Sequence, residues 1–190
     1  MHPVRAYIQG FRKLSEAEWQ EVAACLSRRT VTVGETLLEE GRICRHLYFL
    51  ETGLLRYYYT LEGLEYTKFF TVAPYCFTSQ QSINQGVPAQ ESIAVVEGGI
   101  LWQMPSDDAF RLLTLSGFSE FVRLLVQEVQ FNTERILNDT RAYTAEERYR
   151  RMLAAGDPLV ARVPLKYLAS YLGIAPQSLS RIRKRLSSNS

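Results

Sequence analysis

The sequence is poor in the residues that metal and redox sites need. Its 190 residues include two histidines, His2 and His46, and three cysteines, Cys25, Cys44 and Cys76. Two histidines are too few for a His-rich metal centre, and nothing near His46 supports its use as a catalytic base. The cysteines form no CxxC pair, a distribution typical of a reducing cytosol rather than of a disulfide framework. We predict no metal site, no cofactor, no catalytic residue and no enzymatic activity.

Long apolar runs are also missing. The best candidate, residues 92–104, is interrupted by Glu97 and two glycines, whereas a membrane span needs roughly 18–20 apolar residues. The N-terminus has no apolar h-region of a secretory signal. We therefore predict a cytoplasmic protein with no membrane partner. Since 46% of the residues are hydrophobic and 22% are charged, the chain should fold around a sizeable core in one or two domains.

Acidic residues stop at Asp157. Residues 141–190 carry ten Lys or Arg and three acids, a net charge of +7, while residues 1–140 carry 12 basic and 17 acidic residues, a net charge of −5. A mildly acidic body with a basic end favours a polyanionic partner. A solvated run of surface charge is the alternative.

The N-terminal part predicts one helix and then a series of strands. Ser15 and Glu18 have the spacing of a capping box, and Leu14 and Trp19 that of the accompanying hydrophobic staple. After that helix, glycines separate short apolar segments at intervals of about 8–12 residues, which favours a barrel or a sandwich. Strands are predicted at 30–33, 36–39, 47–50, 54–60, 65–72, 92–96 and 100–104, the last two joined by a turn at Gly98-Gly99.

The region after Pro105 has a helical pattern. Helices are predicted at 107–115, 119–139 and 144–153. The long helix carries apolar residues at alternating steps of four and three, the spacing of a coiled-coil seam with a second subunit. The predicted seam residues are Phe118, Val122, Leu125, Val129, Asn132 and Ile136. A helix packed on its own barrel through Phe121 and Leu124 is the alternative, and we favour the homodimer.

Residues 163–186 have the pattern of a helix-turn-helix. Pro164 suits the start of a first helix, Gly173 its left-handed C-cap, and Pro176 the start of a second helix. The predicted buried faces consist of Leu165, Leu168, Ala169, Leu172, Leu179, Ile182 and Leu186. An ordinary helical hairpin with a basic face is the alternative.

The opposite face of the second helix carries residue types that contact DNA. Gln177, Ser178 and Arg181 are predicted to read bases, because Arg and Gln form bidentate hydrogen bonds with guanine and adenine. Phosphate contacts give affinity without sequence information. They are predicted for Lys166, Ser180, Arg183, Lys184 and Arg185. The predicted partner is double-stranded DNA.

In this order of elements the chain resembles the Crp/Fnr family of bacterial transcription regulators. The resemblance rests on Gly34, Gly41, residues 47–49, Gly53, Arg56, Leu168, Ala169, Leu172, Gly173, residues 179–182 and Lys184. It implies an α+β fold with a double-stranded β-helix (jelly-roll-like) sensor domain over 1–115 and a dimerisation helix over 116–141. It further implies a winged-helix-type helix-turn-helix over 142–190, lacking most of the wing because only Ser187 to Ser190 remain. Double-stranded DNA, a second copy of the chain and RNA polymerase are the implied partners.

The effector site that the resemblance implies departs from the family pattern. Members that bind cyclic nucleotides carry a phosphate cassette, in which a Glu holds the ribose and an Arg holds the cyclic phosphate. Here Gln80 stands in place of that Glu and Glu91 in place of that Arg, and a carboxylate repels a phosphate. We therefore predict that neither cyclic AMP nor cyclic GMP is the ligand. The predicted pocket residues are Arg56, Lys68, Phe77, Gln80, Glu91 and Ser92.

Three functions can be compared on this basis. The favoured one is a homodimeric, sequence-specific transcription regulator whose effector is an unknown small molecule or none. A small-molecule-binding β-roll module whose basic tail has another role is the alternative, and the acid-free end of the chain argues against it. A cupin-like enzyme would need a His-rich metal set, which this barrel lacks.

Overall fold

The computed structural model describes residues 1–187, which form a mixed structure of helices and one antiparallel sheet. The strands are β1 (Ser27–Val31), β2 (Thr36–Leu38), β3 (His46–Leu61), β4 (Leu64–Val72), β5 (Tyr75–Phe77) and β6 (Ser92–Pro105). The first five helices are α1 (Pro3–Gln9), α2 (Glu16–Ala24), α3 (Gln80–Gln85), α4 (Ser106–Leu112) and α5 (Ser116–Ala142). The remaining helices are α6 (Ala145–Ala154), α7 (Leu159–Arg162), α8 (Leu165–Leu172) and α9 (Pro176–Ser187).

Two long strands organise the sheet. Its order is β1-β6-β3-β4, with β2 paired to β6 and β5 paired to β3. Strand β3 has 16 residues and joins two segments that the sequence predicts as separate strands, and the 14-residue β6 likewise joins 92–96 to 100–104. The short elements α1, α3, α7 and β5 were not predicted.

The predicted turn at Gly98-Gly99 is wrong, because β6 continues through both glycines. Gly99 pairs with Val31 in β1, and Ile100 pairs with Thr52 in β3. A Cβ built at Gly99 would lie 2.0 Å from the carbonyl oxygen of Thr52. Glycine inside a strand often marks such a close backbone approach or a bulge, and the pairing of β3 with β6 does shift register around Thr52.

The N-terminal helices pack against one side of the strands in a shared core. The predicted capping box is confirmed, since Ser15 accepts a hydrogen bond from the Glu18 amide and the Glu18 carboxylate accepts one from the Ser15 amide. The staple residues Leu14 and Trp19 are both buried in this core. Glu18 also accepts a 2.7 Å hydrogen bond from the amide of Gly117, so the same carboxylate stabilises the start of α5.

The first half of α5 belongs to this core rather than to an exposed seam. Phe118 and Leu125 are only 2% and 6% exposed and pack with Phe121 beneath the sheet. The prediction that Phe118 and Leu125 face a second subunit is therefore wrong, because the chain's own strands and α1 cover them. The other predicted seam residues, Val122, Val129, Asn132 and Ile136, are half-buried.

Helices α8 and α9 meet at the predicted glycine. Gly173 has φ 75°, and the amide of Ile174 donates to the carbonyl of Ala169 at 3.0 Å, which closes the end of α8. Leu168, Ala169, Leu172 and Leu179 are buried as predicted, whereas Leu165, Ile182 and Leu186 are half-buried. The prediction that most of a wing is missing concerns Ser188 to Ser190, which lie outside the described residues.

Candidate functional site

One face of α9 presents polar and basic side chains to solvent. Gln177, Ser180, Arg181, Lys184 and Arg185 are exposed, and Ser178 is half-buried. Lys166, on α8, is exposed as well, with its ammonium 4.5 Å from the centre of the Tyr167 ring. Buried Leu179 anchors the opposite side of the helix, so the exposed polar positions face solvent.

Two of the arginines predicted to contact phosphate already have partners within the protein. Arg183 donates from Nη2 to the carbonyl of Val160 at 3.3 Å, and its guanidinium lies 5.6 Å from the Tyr149 ring centre. It lies one turn after the buried Leu179 and is half-buried, and its contact with phosphate stays a prediction. Arg185 forms an ion pair with Glu146 on α6, although its side chain is exposed.

The predicted cassette is closed by an internal ion pair. Lys68 Nζ lies 2.6 Å from Glu91 Oε2, and the Ser79 hydroxyl donates to Glu91 Oε1 at 2.6 Å. The Glu91 carboxylate thus occupies a site with one cation and one hydroxyl, the donors that an anion requires. Ser92 has a structural partner, because its hydroxyl accepts a hydrogen bond from the Glu40 amide at 2.9 Å.

Arg56 does not line the predicted effector pocket. Along β3, Leu55 and Tyr57 point into the core between the strands, and Arg56 points to the opposite face. Its side chain is 3% exposed, and its guanidinium lies between the rings of Tyr58 and Tyr167, at 4.4 and 4.1 Å from their centres. This assignment was wrong because strand alternation turns Arg56 towards α8.

A cavity of about 400 Å³ lies between the strands and α5. Of the predicted pocket residues, Phe77 and Gln80 line it, whereas Arg56, Lys68, Glu91 and Ser92 do not. Its walls are mainly apolar and aromatic. They include Tyr57, Phe69, Tyr75, Cys76, Ile83, Phe110, Phe118, Val122, Leu125, Val129, Asn132, Arg135 and Ile136.

Two titratable groups of the cavity wall are held in their neutral forms. Burial raises the pKa of the Cys76 thiol to about 12, so this cysteine carries little thiolate at neutral pH and is unsuited to a thiol sensor. Burial likewise raises the pKa of Tyr57 well above its usual value, and its hydroxyl is hydrogen-bonded to Thr71. The cavity therefore offers few charges to a ligand.

Two further features are absent from residues 1–187. No group of three or more His, Cys, Asp or Glu residues there is placed to hold a metal ion. Within the same range, no helix combines the length and the hydropathy needed to span a bilayer.

Comparison with known families identifies the part of the chain that contains the cassette. The family model "Cyclic nucleotide-binding domain" matches residues 28–115. These residues are therefore similar to that family of domains. The matched range contains strands β2–β6, helices α3 and α4, and all of β1 except its first residue. No curated protein matches the sequence at a significant level.

Solved structures extend the likeness beyond residues 28–115. FixK2 from Bradyrhizobium japonicum has 14% identity and a TM-score of 0.74, covering 86% of this chain and 85% of its own. A protein from Eubacterium rectale, described as a transcriptional regulator of the crp/fnr family, has 15% identity and a TM-score of 0.75, covering 93% and 85%. The c-di-GMP-responsive regulator CLP from Xanthomonas campestris has 14% identity and a TM-score of 0.71, covering 92% and 93%. The resemblance to Crp/Fnr regulators is thus confirmed as a likeness of fold.

Proposed function

We propose that the protein is a homodimeric transcription regulator that binds specific sequences of double-stranded DNA. The observation that carries this proposal is the exposed polar face of α9, supported from behind by α8 and Leu179. In this proposal α8 and α9 form the helix-turn-helix of a DNA-binding domain over 142–190, and residues 1–115 form a jelly-roll-like sensor domain. RNA polymerase as a partner and a cytoplasmic, bacterial setting belong to the same proposal through the family resemblance.

In the proposed complex α9 lies in the major groove. Gln177 and Arg181, one turn apart and both exposed, would contact base edges, and Ser178 would assist them at the start of the helix. Lys166, Ser180, Lys184 and Arg185 would contact phosphates, Arg185 after exchanging its ion pair with Glu146. Because Pro176 offers no side-chain donor where the family usually has an arginine, the family's common operator is not expected.

Residues 116–141 of α5 are proposed as the dimerisation helix. The second copy would pack against the part of this helix that the chain's own core does not cover. Val122, Val129, Asn132 and Ile136 are half-buried, and Val126, on the same face, is 40% exposed. Apolar surface of this extent on one helix favours a partner helix. A two-fold dimer would place two α9 helices about one turn of DNA apart.

Selection from random double-stranded DNA tests the proposal. The purified protein without any effector is expected to enrich a two-fold symmetric site, with an affinity that falls steeply as the salt concentration rises. If no sequence is enriched and binding is absent at low salt, DNA recognition is ruled out. The alternative, a small-molecule-binding module whose basic tail has another role, would then be preferred.

Arg181→Ala is expected to reduce affinity for the selected site by about 1–3 kcal/mol and to relax the preference at one base position per half-site. The reason is that alanine removes the bidentate donor and leaves the phosphate contacts in place. Competition binding against single-base variants of the site measures both effects. Arg141→Ala, which removes an exposed arginine outside α9, is the matched control. Equal weakening on every sequence would assign Arg181 to phosphate contact instead.

We further propose that the effector is an uncharged, aromatic small molecule bound in the cavity beside α5, and not a cyclic nucleotide. A volume of about 400 Å³ lies within the range of roughly 300–1,000 Å³ typical of small-molecule sites. Its lining residues include several aromatic side chains and one charged side chain, Arg135. The Glu91 carboxylate closes the cassette to a phosphate.

Naphthol and cyclic AMP are suitable probes for calorimetric titration. Naphthol is expected to bind saturably and cyclic AMP is not. Ile83→Trp fills the cavity wall and should weaken naphthol binding at least tenfold, whereas Ile43→Trp, at an exposed position away from the cavity, should not. Saturable binding of cyclic AMP, or naphthol binding that ignores Ile83→Trp, would contradict this assignment.

A further inference from the structure

Helix α8 covers the edge strand of the sheet. Strand β4 is the last in the order β1-β6-β3-β4, so the backbone groups on its outer side have no strand partner. The amide of Thr67 donates to the Ser170 hydroxyl at 2.9 Å, and that hydroxyl donates to the carbonyl of Glu65 at 3.2 Å. One serine of α8 thus satisfies both a donor and an acceptor of the strand edge.

The same stretch of β4 holds Arg56 against α8. Glu65 Oε2 lies 2.5 Å from Arg56 Nη1, and Thr67 Oγ1 accepts from Arg56 Nε at 2.8 Å. The opposite contact of the guanidinium is the ring of Tyr167 on α8. Glu65 and Thr67 therefore orient the Arg56 guanidinium, which packs against the ring of Tyr167.

A β-bulge makes this arrangement possible. Tyr57 pairs with Phe69, but Tyr58 pairs with Thr67, so that Lys68 is an extra residue without a partner in β3. Without the bulge, the residues between the hairpin and Thr67 would shift by one position, and their side chains would change faces. Glu65 and Thr67 would then no longer meet Arg56.

The bulged residue is also the cation of the cassette. Lys68 Nζ contacts Glu91 Oε2 at 2.6 Å, and the Ser79 hydroxyl holds the other oxygen of that carboxylate. Glu91 is mostly buried and Ser79 is 2% exposed. The ion pair therefore ties the bulge to the body of the domain, one residue away from the contact between Thr67 and Ser170.

We propose that the Lys68–Glu91 ion pair is a positioning contact that keeps the β4 bulge in place and thereby fixes α8 on the sheet. The carboxylate of Glu91 acts as a built-in anion, so the C-terminal helices are held in one orientation without a bound phosphate. The docking of α8 on β4 rests on the contacts of Ser170 and Tyr167, and its consequence for DNA binding rests on the proposed function. When α8 is fixed on the sheet in both subunits, the distance between the two α9 helices of the proposed dimer stays constant.

Amide hydrogen exchange, followed by NMR, tests the docking without DNA. In Lys68→Met, the Thr67 amide is expected to exchange at least tenfold faster, while amides of the central strand β6 stay unchanged. Lys13→Met is the matched control, because Lys13 is exposed and outside these contacts. The charge-swapped pair, Lys68→Glu with Glu91→Lys, should restore protection to within about twofold of the natural protein.

Two results would overturn the proposal. One is a Thr67 amide that stays protected from hydrogen exchange in Lys68→Met, which has no Lys68–Glu91 ion pair. The other is a charge swap that fails to restore protection although the β6 amides show the domain to be intact. If Lys68→Met also loosens β6, Glu91→Gln decides the question, since it removes the charge and keeps a hydrogen-bond partner for Ser79.

DNA binding gives the functional readout. In the natural protein, a duplex with two half-sites should bind far more tightly than one half-site, because fixed helices raise the effective concentration of the second contact. Lys68→Met should lower the ratio of these affinities at least tenfold and leave half-site affinity unchanged. An unchanged ratio in a variant with an exposed Thr67 amide would contradict the link to DNA. Absence of DNA binding by the natural protein would reject the proposed function only, since hydrogen exchange decides the docking separately.

Discussion

Replacing Gly99 by alanine is expected to lower the free energy of unfolding by about 3 kcal/mol, at the upper end of the usual range for overpacking. The added Cβ would lie 2.0 Å from the carbonyl oxygen of Thr52 and 2.5 Å from its carbonyl carbon. Both atoms are backbone atoms of a central strand, so they cannot move aside as the end of a side chain can. The loss corresponds to a fall of about 6–12 °C in the melting temperature for a chain of this length.

Urea unfolding followed by circular dichroism measures this effect. Gly98→Ala is the matched control, since a Cβ there would lie 3.0 Å from the carbonyl of Val31, a tight contact that a small shift relieves. We expect Gly98→Ala to cost clearly less than Gly99→Ala. Equal stability of the two variants would show that the backbone of β6 does not approach Thr52 this closely.

Val129→Asp is expected to convert the proposed dimer into a monomer. Val129 is half-buried on α5, and a second helix on this face would enclose the new carboxylate without a partner. An unpaired charge in such an interface costs several kcal/mol. Sedimentation equilibrium over a range of protein concentrations measures the change in association.

The matched control for the dimer is Gln127→Asp, which places the same charge on the exposed, opposite side of α5. It should leave the dimer intact. Since Val129 also lines the cavity, circular dichroism must show that Val129→Asp remains folded. A folded Val129→Asp variant that is still dimeric would remove this part of α5 from the interface.

Local sequence patterns are sufficient to predict those features that depend only on residues close together in the chain. The capping box of Ser15 and Glu18 involves contacts three residues apart, and Gly173 ends α8 through its own backbone conformation. The buried face formed by Leu168, Ala169 and Leu172 follows from helical periodicity in the same way. The exposed face of α9 follows from the same periodicity, because its polar residues lie opposite the buried Leu179.

The long helix shows where a periodic pattern stops being informative. A heptad identifies the apolar face of α5, but it cannot distinguish a partner helix from the chain's own strands. The structure places Phe118 and Leu125 under the sheet and leaves Val126 exposed. The candidate interface therefore keeps the rest of the predicted seam but loses Phe118 and Leu125, because the core already uses the start of the helix.

The order of the main elements, the basic end of the chain, the turn at Gly173 and the carboxylate at position 91 can all be read from the sequence. The direction of Arg56, the cation that faces Glu91 and the need for a glycine at position 99 become visible only in the folded protein. Each of these depends on atoms far apart in the chain: Arg56 on Tyr167, Lys68 on Glu91, and Gly99 on Thr52. Strand pairing, and in particular the bulge at Lys68, sets those distances, and no local pattern encodes it.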